Sequence, residues 1–145
     1  FVTAAGALMD SECTSLGDVK ALNQSLVTTS TATTFARLKL TQTTVAASSS
    51  ATTLNFASAN NFLVNMSADT TFTWSNLSGA VGCSGNIIIV QDSTGGRDFT
   101  LPSEAKTPID GATIVQNTGA NEISVLSYYV MSSSQVLVNY IGDFA

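Results

Sequence analysis

Six consecutive residues, Asn86-Ile-Ile-Ile-Val-Gln91, restrict the fold more than any other part of the chain. Ile87 to Val90 are all β-branched, stiff about χ1, and suited to extended backbone. Neighbouring strand residues point to opposite faces, so this strand has no polar face and needs cover on both sides. Its expected place is the centre of a sandwich, or beneath a neighbouring subunit.

The surrounding sequence supplies the partners. Leu38 and Leu40 alternate with Lys39 and Thr41, Phe62, Val64 and Met66 fall at every second position, and Phe72 and Trp74 alternate with Thr71 and Thr73. A period of two marks half-buried strands. Asp92-Ser-Thr-Gly-Gly96 predicts a turn, with Arg97 to Leu101 returning as a hairpin partner until Pro102 stops it. Glu104 to Gly111, which contains Pro108, is expected to be a loop, and Gly79 to Gly85 another. Ala112 to Gln116, Glu122 to Met131 and Gln135 to Ile141 complete the strands, with Ser132 to Ser134 as a turn. Short strands at this spacing predict an all-β head over residues 35–145, a β-sandwich or jelly roll.

Residues 1–34 differ in character and are expected to form a leader. Ser15-Leu-Gly-Asp18 is close to a capping box, and Leu16, Val19, Leu22 and Leu26 line one face of a short helix. So short a helix needs a partner. The stripe packs either on its own sheet or in a three-chain seam. Val27 to Thr34 follows as an extended, threonine-rich linker, and Ala46 to Thr53 is a second segment of that kind.

Charged residues are only 10% of the chain, and hydroxyl and amide side chains replace them at the surface. A neutral polar face costs less to desolvate than a charged one, which favours self-association. Five cations against ten acids, for a net charge of −5, exclude a basic nucleic-acid footprint. No apolar run approaches bilayer length, so membrane insertion is not expected. The absence of histidine removes the commonest general base, the Ser-His and Cys-His pairs and most zinc sites. The acids fall mainly at turns and helix starts, where carboxylates cap backbone amides. Asp92 to Asp98 lacks EF-hand ligand spacing and the P-loop lysine. The chain is therefore expected to be non-enzymatic, without cofactor or metal. Cys13 and Cys83 are too few for a disulfide framework and are expected as free thiols, a leader-to-head bridge being the alternative. Trp74, Tyr128 and Tyr129 are the candidate surface-binding residues, since an aromatic ring can stack on a sugar. Adjacent strand positions allow only one of the two tyrosines to face outward on a given side.

Three segments together resemble the distal proteins of tailed bacteriophages, tail fibres above all. They are Thr3 to Glu12, "TAAGALMDSE", continued by Leu16 and "VKAL"; Thr53 to Gly79, with its strand, loop and threonine-aromatic-threonine strand; and Ile87 to Pro102, "IIIVQDSTGGRDFTLP". The terminal "YIGDFA" is also similar. The resemblance implies a virion component, a homotrimer whose leader joins shaft to β head and makes the seam through Leu16, Val19, Leu22 and Leu26. Its implied partners are further copies, other virion proteins, and a host-surface glycan or protein. The implied role is attachment to the host. A capsid decoration protein, on the head surface rather than the tail, is the alternative.

Overall fold

A computed structural model describes residues 39–108 and 114–144. The order of strands is β1 (Gln42–Ala47), β2 (Ala51–Asn55), β3 (Asn61–Met66), β4 (Thr70–Ser75), β5 (Ser84–Val90), β6 (Phe99–Thr100), β7 (Ala105–Lys106), β8 (Ile123–Ser132) and β9 (Gln135–Phe144), with one 3₁₀ turn at Leu77–Ala80. The all-β head is thus what the chain builds. The leader, with Leu16, Val19, Leu22, Leu26 and Cys13, lies outside the described residues.

The strands form two sheets over one core. The larger runs β1-β3-β5-β8-β9-β7 and the smaller β2-β4-β6. From β1 to β6 the chain alternates between them, and each strand lies parallel to the previous one in its sheet. Three rungs are wound in this way, and the antiparallel pair β8 and β9 then extends the larger sheet beyond β5.

Alternation decides which side chains enter the core. Phe62, Val64 and Met66 of β3, Ile87 and Ile89 of β5, and Leu126 and Val130 of β8 are almost completely buried, as are Leu54 and Phe72 of the smaller sheet. Phe56 sits among Phe62, Trp74 and Tyr128, with ring centroids 5.1–5.7 Å apart. Such aromatic contacts add to the area they bury. β5 is central in its sheet, as its apolar character requires, with Ile87 and Ile89 facing inward while Ile88 and Val90 face outward, half-buried.

Several expectations need correction. Lys39 to Thr41 precede β1 instead of forming the strand expected around Leu40, Ile114 to Gln116 lie in no strand, and Ala105–Lys106 form β7 within the loop expected over Glu104 to Gly111. Ala46 to Thr53 is not a linker but the end of β1, a tight turn and the start of β2. Its small residues hid a strand whose inward positions are Thr52 and Leu54. Arg97 to Leu101 does not return as a hairpin on β5, because Phe99–Thr100 crosses to the smaller sheet and lies parallel to β4. The turn chemistry itself is as expected: Gly95 and Gly96 have positive φ, and Asp92 Oδ1 accepts from the amides of Thr94 and Gly95. What fails is direction. Gln91 accepts from Arg97 N and donates to Arg97 O, and Gln116 does the same for Phe99. Two side-chain amides thus stand in for a neighbouring strand.

Candidate functional site

Outward positions near the ends of β7, β8 and β9 form an open cleft of about 440 Å³. Register places Tyr129 opposite Leu137, and Leu137 opposite Lys106, so an aromatic, an aliphatic and a cationic side chain lie in one row. Thr107, Ser127 and Asn139 add hydroxyl and amide groups around it. Tyr129 and Leu137 are each close to half exposed, 45% and 46%, a high share for large apolar side chains in strands. Lys106 Nζ donates to the carbonyl of Ser103 at 2.7 Å, which holds the ammonium group near the rim.

The three aromatic candidates separate. Tyr129 is exposed in the cleft. Tyr128, one residue earlier, turns into the core, where its hydroxyl donates to the carbonyl of Asn60 at 2.6 Å. Burial, with Cys83 nearby, pushes its pKa up to about 12. Trp74 packs edge-on against Phe56 as a partly buried member of the core wall, and its indole N–H has no partner. The sequence-level rule that only one tyrosine of the pair can face outward is obeyed, with Tyr129 outward. Lys106 and Thr107, from the predicted loop Glu104 to Gly111, meet it there. Leu137 and Asn139 were not singled out from sequence; outward alternation from the buried Val136 and Val138 was the available signal.

Asp69, Asp92 and Glu122 serve the backbone. Asp69 accepts from the amide of Asp98, Glu122 from that of Gly119, and Asp143 from the side chain of Asn117. Asp92 is the most committed. Its second oxygen takes Nε and Nη2 of Arg97 at 3.1 and 2.9 Å, and the guanidinium and loop amides hold its pKa below the ordinary carboxylate value. Among the described residues no group of three or more His, Cys, Asp or Glu is placed to hold a metal ion. The cleft therefore offers surfaces for stacking and hydrogen bonding rather than a pair of free carboxylates.

A family model described as "Putative phage tail fibre C-terminal domain" matches residues 50–132, more than half of the 145-residue chain. The chain belongs to this family. Membership places the protein in the virion tail as a structural component assembled with other virion proteins. Searches of curated proteins and of solved structures yield no match. The matched part of the tail-fibre domain runs from the start of β2 to the end of β8, and so includes Lys106, Thr107, Ser127 and Tyr129 of the cleft.

Proposed function

We propose that this tail-fibre domain is the attachment end of a homotrimeric adhesin and binds a host-surface glycan in the Tyr129 cleft. The leader, residues 1–34, joins it to the rest of the fibre through a seam of Leu16, Val19, Leu22 and Leu26. The head itself carries out no catalysis. The observation that carries this reading is the exposed ring of Tyr129, set beside Leu137 and ringed by Lys106, Thr107 and Asn139. A sugar has an apolar ring face and a hydroxyl periphery. An aromatic ring beside an aliphatic side chain covers the first, and amide, hydroxyl and ammonium groups meet the second. A cleft this open binds each sugar weakly. Three copies on one fibre tip would raise avidity by about 10²–10⁴ without any further contact.

The test is binding of the full chain to envelope polysaccharide from candidate hosts, compared with Tyr129→Ala and Tyr129→Phe. Loss of the ring is expected to weaken binding by about tenfold or more, equivalent to 1.4 kcal/mol, whereas Phe keeps most of it. Equal binding by the wild type and Tyr129→Ala would place the ligand elsewhere on the head.

A further inference from the structure

The larger sheet has a second outward region, bordering the cleft toward the start of β8. Thr44, Leu63, Ile88, Val125 and Ile141 stand side by side across β1, β3, β5, β8 and β9. Beside them Val90 pairs with Ile123, which pairs with Phe144. Ile141 is 49% exposed and Phe144 46%. A row of Asn86, Ser127 and Asn139 separates this patch from Tyr129 and Leu137.

Apart from Lys106 on β7 and Asp143 near the end of β9, the strands of this face are uncharged outward. Every outward residue of β1, β3, β5 and β8, and of β9 as far as Ile141, is apolar, hydroxyl-bearing or an amide. Elsewhere among the described residues, Lys39, Asp69, Asp92, Arg97, Asp98, Glu104 and Glu122 lie on turns and loops, Lys106 on the β7 edge, and Asp143 in β9 between Ile141 and Phe144.

We propose that this patch is where one copy of the chain packs against another, through the row Leu63, Ile88, Val125 and Ile141. The inference rests on the self-assembling reading above and adds a surface on the head to the leader seam. Its occupant follows from charge. Each copy carries a net charge of −5, so most approaches between copies set acid against acid, but the row from Thr44 to Ile141 presents none, the nearest in β9 being Asp143. A foreign partner chosen by electrostatics would find nothing here to recognise. Further copies bring the same flat, β-branched surface, and three of them can turn it toward a common axis and cover it.

The experiment is the solution mass of the full chain by light scattering, with far-UV circular dichroism as the check on folding. The variants are Ile141→Glu and Thr44→Glu, both at exposed positions, with Thr73→Glu on the outward face of the smaller sheet as control. The expected result is an oligomeric wild type and control, and at least a tenfold weaker association in the two patch variants with their strand signal intact. Patch variants that keep the wild-type mass would overturn this face while leaving self-assembly standing. Dissociation of the control as well would overturn it, by showing that any added acid has the same effect. A wild type that is monomeric at tens of micromolar would overturn both the face and the self-assembling reading.

Discussion

At the scale of single residues, Gly85, Asn60 and Tyr128 form a close-fitting set. A Cβ on Gly85 would run into the carbonyl of Asn60, the same carbonyl that takes the Tyr128 hydroxyl, and would crowd that hydroxyl too. The position is closed by backbone rather than by a flexible side chain, so glycine there is a matter of space. Register explains the convergence, since Gly85 lies opposite Tyr128 on β8, and Asn60 immediately precedes β3, the other neighbour of β5. A consequence follows at high pH. The phenol is neutral when protonated, and its pKa rises from 10.0 to about 12 in the folded chain. Its contribution to stability is therefore full below pH 10 and is lost as pH climbs through about 12. Chemical denaturation from pH 9 to 12 is expected to show a steeper alkaline decline for the wild type than for Tyr128→Phe, which has no phenol to ionise. Parallel curves would remove Tyr128 as the cause.

At the scale of elements, β6 is the informative case. With only two residues it has little ladder of its own, and the side chains of Gln91 and Gln116 supply the missing bonds to Arg97 and Phe99. Truncation of Gln116 leaves a backbone N–H and C=O half-buried without partners. Gln116→Ala is expected to cost about 1–3 kcal/mol in urea denaturation and to free the Phe99 amide for faster hydrogen exchange. Unchanged exchange at Phe99 would mean that water replaces the amide. This element also marks how far the sequence could be read. Alternation at Phe62 to Met66 and Phe72 to Trp74, and the doubly apolar β5, showed strands and inward faces correctly, because burial imposes the period. Whether a strand pairs with its predecessor or with the one before that leaves no trace in the period. A glycine turn such as Gly95-Gly96 serves a hairpin and a crossover alike. Ala51 to Asn55 was missed because threonine and alanine fill its positions with too little apolar contrast. Within the cleft, Tyr129 was legible as one of a pair. Its companions Leu137 and Asn139 needed the register between β8 and β9.

At the scale of the molecule, both sheets contribute to one cluster of buried side chains. Leu54, Phe72 and Phe99 of the smaller sheet share it with Phe62, Ile87, Leu126 and Val136 of the larger. Neither sheet has another place to bury its inner face, so the two are expected to unfold together. The chain contains a single tryptophan, Trp74, which packs against this core from the smaller sheet. Its fluorescence in urea is expected to change at the same midpoint as the far-UV strand signal. Two separated midpoints would show that the sheets can part.

The parallel winding from β1 to β6 also bears on how such a head can change. Each rung enters and leaves at the same sides and offers the next rung the same two edges, in the manner of courses in a wall. A duplicated stretch spanning one strand of each sheet would therefore lengthen the head by a single strand spacing, about 4.8 Å, and leave the β8–β9 end as it is. The head can be lengthened in fixed steps while the cleft on β7, β8 and β9 is kept.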